Sequence, residues 1–107
     1  MSVSIEVMNK NMIDRQLKPM GVNNKLILDA FKSIPRELFV DKDKKSIAYH
    51  EGNMEIKEGR WLLSAGLIGR LINSVTISKE DVILEVGSCT GYATAILENL
   101  SSLVVGI

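Results

Sequence analysis

One cysteine and one histidine occur in the 107 residues, and these two counts close off several kinds of chemistry. With Cys89 alone, no disulfide can form within the chain. His50, alone in a polar loop, cannot supply a multi-histidine metal site or a catalytic triad, so no metal is expected. Charge of one sign is missing too: 13 basic residues balance 13 acidic ones. A nucleic-acid backbone needs a basic excess or stripe. Lys42, Lys44 and Lys45 cluster, but Asp41 and Asp43 alternate with them, and a mixed-sign run reads as a solvated loop. No nucleic-acid partner is expected. No apolar run approaches the roughly 18 residues of a membrane span, and the N-terminus lacks a basic region followed by an apolar core and a cleavage site. The expectation is a cytoplasmic protein with no membrane partner. Internal repeats and low-complexity segments are absent as well.

What is present is an ordinary globular composition, 46% apolar and 24% charged, organised around residues 81–97. Residues 82–86, apolar apart from Glu85, read as a strand buried on both faces. The run Gly87-Ser88-Cys89-Thr90-Gly91 then turns the chain into an alanine-rich helix over 92–100. Such a turn sets unpaired backbone N–H groups and the positive end of a helix dipole beside a surface free of side chains, which suits a nucleotide-like ligand. Residues 103–107 read as a second buried strand, and the β-loop-α-β order implies a right-handed parallel crossover in an α/β sandwich. A nicotinamide fingerprint, Gly-x-Gly-x-x-Gly, would place glycine where Cys89 stands, which argues against a dehydrogenase. Glu85 needs a partner if it is buried, and it can face a cationic ligand group.

Upstream, Ile5, Met8, Met12, Ile13 and Leu17 fall at helical spacing, with Asn9, Lys10, Asp14 and Arg15 mostly opposite, which predicts a first helix over 5–17. Lys18-Pro19-Met20-Gly21 breaks it. Asn23 or Asn24 caps a second helix carrying Leu26, Ile27, Ala30, Phe31 and Ile34, closed by Pro35. Residues 36–40 predict a helical turn delivering Phe39 to the core. Residues 41–52 read as polar and irregular except for Ile47-Ala48-Tyr49, and Met54-Glu55-Ile56 as a short edge strand. Ser64 caps a third helix with Leu67, Ile68, Leu71, Ile72 and Val75 on one face. One domain is expected, with a helical region over 1–75 and the start of a parallel sheet over 76–107. Two strands are few for a doubly wound sheet, so the chain reads as the truncated N-terminal portion of a domain, exposing apolar sheet surface unless it pairs with a partner.

Leu84-Glu85-Val86-Gly87-Ser88-Cys89-Thr90-Gly91-Tyr92 resembles the first motif of class I S-adenosylmethionine-dependent methyltransferases. Met12-Ile13-Asp14-Arg15-Gln16-Leu17, Gly21-Val22, Ile34-Pro35-Arg36-Glu37-Leu38-Phe39-Val40, Ala48-Tyr49 and Gly59 follow the order and spacing of protein-L-isoaspartate O-methyltransferases. That resemblance runs from about residue 11 to the end. It implies a Rossmann-like domain holding S-adenosyl-L-methionine at its strand ends and transferring methyl to an isoaspartyl carboxylate of an aged protein, a repair reaction. It also implies a cofactor-binding set: Glu85 near the cofactor's amino group, directly or through water; Gly87, Ser88, Cys89, Thr90 and Gly91 under its methionine part, Ser88 offering hydroxyl and backbone; and Tyr92, Leu62 and Leu63 beside them. The residue that should hold the ribose hydroxyls would follow Ile107, so the chain by itself is expected to bind cofactor weakly or not at all.

The chain departs from this family where its members commonly read Gly-Gln-Thr-Ile-Ser-x-Pro. Here the run is Gly59-Arg60-Trp61-Leu62-Leu63-Ser64-Ala65, with Leu63 at the serine's position and Ser64 one residue late, about 100° round a helix start. No catalytic residue is therefore assigned. Two alternatives stand beside the transferase: a non-catalytic cofactor-binding module, and a methyltransferase with another acceptor. Trp61 reads either as a stacking surface at the cleft or as a core residue. Arg60 reads as a partner of a substrate carboxylate or, preferably, as half of a surface salt bridge. Cys89, a thiol at a helix N-terminus, is a conceivable nucleophile. Methyl transfer requires none, and a small residue in a glycine's place is the preferred reading.

Overall fold

The structure, a computed structural model, describes residues 4–107; the first three residues of the expected helical region lie outside the described residues. Helix α1 (Ile5–Met12) starts at Ser4, whose Oγ accepts the Val7 N–H at 3.2 Å. The chain then continues through a π-helical stretch, Ile13–Leu17, and a 3-10 turn, Lys18–Met20, closed by Gly21 at φ +87°. The uniform helix expected over 5–17 therefore changes hydrogen-bond register at residue 13. Over five residues both kinds of turn bring Ile13, Gln16 and Leu17 inward, so an apolar pattern cannot tell them apart. Asn9 corrects the expectation that it faces solvent. It is buried, and its Nδ2 donates to the carbonyls of Phe31 (3.0 Å) and Lys32 (2.9 Å) at the end of the next helix.

That helix, α2 (Lys25–Ser33), is capped by Asn24, whose Oδ1 accepts the Leu26 and Ile27 N–H groups. Ile27, Ala30 and Phe31 point into the core, while Leu26 at the edge of the stripe is exposed. A 3-10 turn (Arg36–Phe39) follows Pro35. It brings Phe39 against the core as expected, but the deepest side chain in it is Arg36. Residues Lys42–Ile47, expected to be irregular, form a further 3-10 segment.

The hairpin comes next: β1 (Met54–Lys57) pairs antiparallel with β2 (Arg60–Leu62) around Gly59 at φ +76°. Residues 60–62 had no strand signal of their own. Their conformation comes from pairing, which puts Met54 opposite Leu62, both buried, and turns Trp61 outward. Helix α3 (Ala65–Asn73) begins at Ser64, whose Oγ accepts the Leu67 N–H at 3.2 Å. Gly66 and Gly69 let α3 lie directly on the π-helical stretch. A Cβ on Gly66 would stand 2.8 Å from the Gln16 carbonyl oxygen, and one on Gly69 3.2 Å from Leu17 Cγ.

The C-terminal part is the expected β-loop-α-β unit. β3 (Val82–Glu85) and β4 (Leu103–Gly106) are parallel and in register from Val82 opposite Leu103 to Glu85 opposite Gly106, joined through α4 (Tyr92–Glu98). The expectation of strands buried on both faces is corrected. Val104 is buried and Ile83 half-buried on the face toward the helices, whereas Val82, Leu84 and Val86 expose 69%, 64% and 75% of their surface. Apolar content records what a strand can bury, and no layer of the described residues lies over that second face. The core centres on Leu17, Val22, Phe31, Ala48, Tyr92 and Ile96, with the Phe31 and Tyr92 rings edge to face at 6.2 Å.

Two predictions follow from this packing. Gly66→Ala gains roughly 1 kcal/mol of helix propensity but must displace a backbone carbonyl, so a net destabilisation of about 1–2 kcal/mol is expected by urea denaturation. Burial pushes the Tyr92 hydroxyl up to about 12, against the opposing pull of Arg36. Burial, then the hydrogen bond to Glu37, raises Tyr49 further. Both native values lie above the unfolded value of 10.0, so this contribution to stability is complete below that pH and lost as pH rises through the native values. Phenolate absorbance is expected to appear together with unfolding; tyrosine ionisation in a chain with intact helical circular dichroism would contradict this.

Candidate functional site

A cavity of about 270 Å³ opens between the hairpin with α3 and the end of β3 with α4. Trp61, Leu62, Leu63, Ile68, Leu71 and Ile72 line one wall; Glu85, Val86, Gly87, Ser88, Cys89, Ala93 and Leu97 line the other. Six residues of the expected cofactor set thus meet here: Leu62, Leu63, Glu85, Gly87, Ser88 and Cys89. Larger hollows of about 620 Å³ lie beside α2 and between α1 and α2, but neither contains any member of that set.

The shape of the loop comes from its backbone. Gly87, Cys89 and Gly91 all have positive φ, at 78°, 55° and 91°. Cys89 therefore occupies a conformation that glycine adopts without strain, in keeping with the reading of a small residue in a glycine's place. The Gly87 and Ser88 N–H groups donate to the Ile107 carbonyl at 2.9 and 3.1 Å, and Ser88 Oγ donates to the same oxygen at 3.4 Å. The groups that Ser88 was expected to offer a ligand are engaged at the end of β4 instead. Gly106 makes this seating possible, since a Cβ there would stand 3.0 Å from Ser88 Cβ. Sequence reasoning missed Gly106; the available signal was a glycine inside an otherwise apolar strand.

Among the described residues Glu85 is the only charged side chain on the cavity wall. A partner was expected for it, and the structure supplies Thr94, in the first turn of α4, whose hydroxyl donates to Oε1; among the described residues Oε2 has no hydrogen bond. The α4 N-terminus has Gly91 at its cap with no side-chain hydrogen bond, so its first-turn N–H groups lie beside the loop uncapped.

Thr90, Gly91 and Tyr92 stand behind the loop and do not line the cavity. Thr90 Oγ1 is buried without a hydrogen-bond partner among the described residues. Tyr92 is a correction: its side chain is fully buried between Phe31, Phe39 and Arg36, so it anchors the start of α4 rather than facing a ligand. Trp61 is 52% exposed on the cavity wall, so the core reading does not hold. Cys89 Sγ lies 3.8 Å from the Trp61 carbonyl oxygen and links the two walls weakly. Arg60 is exposed, and no carboxylate pairs with it among the described residues, contrary to the preferred salt-bridge reading. Ser64 serves as the cap expected of it. Leu63 lines the cavity, and its carbonyl accepts from Arg36 Nη2 at 3.0 Å. Among the described residues no three histidine, cysteine, aspartate or glutamate side chains gather as a metal site, and no helix is long and apolar enough to cross a membrane.

A family model described as protein-L-isoaspartate(D-aspartate) O-methyltransferase matches residues 7–107. A protein-L-isoaspartate O-methyltransferase of Petrotoga mobilis is 33% identical over 105 residues, covering 98% of this chain and 49% of its own length. One of Methanoculleus marisnigri is 30% identical, covering 92% of this chain and 44% of its own length. The chain thus spans about half the length of the curated relatives it matches. A solved protein-L-isoaspartate O-methyltransferase superposes with a TM-score of 0.74 at 26% identity, over 96% of this chain and 33% of that one. A putative one from Plasmodium falciparum, solved with S-adenosyl-L-homocysteine, gives 0.70 at 19% identity over 98% and 49%, a likeness of fold. The α/β Rossmann-like expectation agrees with both.

The loop geometry predicts a sharp distinction at Cys89. Cys89→Val puts a β-branched side chain at positive φ and is expected to cost about 1–2 kcal/mol in denaturant unfolding, whereas Cys89→Gly is expected not to destabilise.

Proposed function

Because the chain belongs to the protein-L-isoaspartate(D-aspartate) O-methyltransferase family, we propose that the whole protein transfers a methyl group from S-adenosyl-L-methionine to the carboxylate of an isoaspartyl residue, as a cytoplasmic protein-repair enzyme. In this reading the chain's cavity holds the methionine end of the cofactor. The observation that carries the proposal is the position of Glu85: one carboxylate oxygen is held by Thr94 and, among the described residues, the other has no hydrogen bond, at the edge of a largely apolar cavity bordered by the glycine loop.

The residues present fit such a ligand. A cavity of about 270 Å³ with one negative charge suits a compact cationic head such as an amino group next to a sulfonium. Bound S-adenosylmethionine supplies an already activated methyl group. The chain's own residues bind, orient and keep water out. Glu85 accepts from the amino group, and the positive-φ backbone from Gly87 to Gly91 lets main chain approach where a Cβ would intrude. Leu62, Leu63 and Trp61 form an apolar wall that excludes water from the reacting centre. An isoaspartyl carboxylate is ionised at neutral pH, so methylation of its oxygen needs no general base, and the absence of an assigned catalytic acid or base is no obstacle. Leu63 then shields where a serine would donate a hydrogen bond. The relatives' shared name supports the transferase over the non-catalytic module.

Calorimetric titration of S-adenosylhomocysteine into the full-length protein tests this reading, with methyl-ester formation on an isoaspartyl peptide against its aspartyl counterpart. Binding and selective methylation are expected. Glu85→Gln, which keeps the Thr94 contact and removes the charge, is expected to weaken binding by about tenfold or more. Unchanged affinity in that variant would remove Glu85 from the site, and no binding by the unaltered protein would overturn the cofactor assignment.

A further inference from the structure

Arg36 has 1% of its surface exposed, and among the described residues no carboxylate lies within ion-pair distance of it. A guanidinium buried without an anion is costly, so its neighbours must compensate. They are carbonyls and a ring. Nε donates to the Ala48 carbonyl at 2.6 Å, Nη2 donates to the Leu63 carbonyl at 3.0 Å, and the guanidinium carbon lies 4.8 Å from the centre of the Tyr92 ring. Its backbone N–H donates to the Tyr49 hydroxyl at 3.1 Å, which fixes the start of the side chain.

Two of these neighbours belong to segments that flank the same cavity from opposite sides. Leu63 is part of the hairpin wall. Tyr92 is the first residue of α4 and follows directly on the glycine loop of the other wall. No other buried cation touches both segments among the described residues. We infer that Arg36 is a positioning residue that sets the separation of the two walls of the cofactor cavity, gripping the Leu63 carbonyl on one side and the Tyr92 ring on the other. The inference rests on the cofactor reading of that cavity. Arg36 itself lines none of it and touches no reacting atom. The geometry needs arginine in particular: a planar fork reaches two carbonyls and presents a flat face to a ring at once, whereas a lysine ammonium is a single point donor.

A purely structural role would also make Arg36 important, so the test compares it with another buried clamp. Asn9 likewise binds two carbonyls, at the end of α2, and lies away from both cavity walls. In the full-length protein, at a temperature where each variant is folded, Arg36→Lys is expected to weaken S-adenosylhomocysteine binding by about tenfold or more. The same change is expected to speed amide hydrogen exchange across residues 60–65. Asn9→Ala is expected to lower stability while leaving binding and exchange at 60–65 as in the unaltered protein. Equal loss of binding in both variants, or unchanged exchange at 60–65 in Arg36→Lys, overturns the inference. If the unaltered protein binds no S-adenosylhomocysteine, the cofactor reading fails, and the exchange comparison alone decides the role of Arg36. Should Arg36→Lys fail to fold, the Nε–H resonance of Arg36 in the unaltered protein gives the readout. It is expected to shift on saturation with S-adenosylhomocysteine, and a resonance that stays in place overturns the inference.

Discussion

Backbone carbonyls that lie in the interior but belong to neither helix nor sheet must find a donor, and meeting that requirement holds this structure together. The stretch around Ala48 and Tyr49 runs through the core with no strand beside it. Its two carbonyls are taken by side chains from far along the chain: Arg36 Nε for Ala48, and Gln16 Nε2 for Tyr49 at 2.9 Å. The end of α2 is met in the same way by Asn9, and the Leu63 carbonyl by the second arm of Arg36. A fourth side chain, Lys45, reaches back to the Glu37 carbonyl at 2.7 Å, while the Tyr49 hydroxyl donates to the Glu37 carboxylate. These polar groups join the first helix, the Pro-Arg-Glu turn and the hairpin into one body, where apolar contact alone would leave each free to slide.

The same fact explains which parts of the fold were legible in the sequence. Helices α2 and α3 could be read with their caps because Asn24 and Ser64 act on N–H groups two or three residues away, and their stripes repeat at helical spacing. Asn9, Gln16 and Arg36 were illegible as interior residues because their acceptors are 12 to 33 positions away. A polar side chain carries no mark of a distant carbonyl that will receive it. Strand β2 was missed for a related reason, since its three residues become a strand only against β1. The burial expected on both faces of β3 failed differently: a run of valine and leucine looks the same whether or not a second layer covers it.

In the candidate site, the part written locally was the loop. Its alternation of glycine, cysteine and glycine appears as three positive φ angles, and half-buried Glu85 finds the partner expected for it in Thr94, nine residues on. What local pattern could not give was direction. Ser88 turns to the end of β4 because Ile107 offers a carbonyl there, and Tyr92 turns inward because Phe31, Phe39 and Arg36 leave an aromatic space behind the loop. Proximity in sequence to a binding loop is thus a poor guide to which face of it a side chain occupies.

These placements give the cavity an electrostatic character that the composition conceals. The chain as a whole is neutral, yet among the described residues the one charged side chain on the cavity wall is a carboxylate, and most of the residues around it are apolar. Glu85 is half-buried there, so its charge is screened less than that of a fully exposed carboxylate. The nearest buried cation, Arg36, is spent on two carbonyls and a ring and offers Glu85 no hydrogen bond. With a carboxylate and, among the described residues, no cation on its wall, the cavity carries the charge that the cofactor reading requires, although nothing in the net charge of the chain announces it.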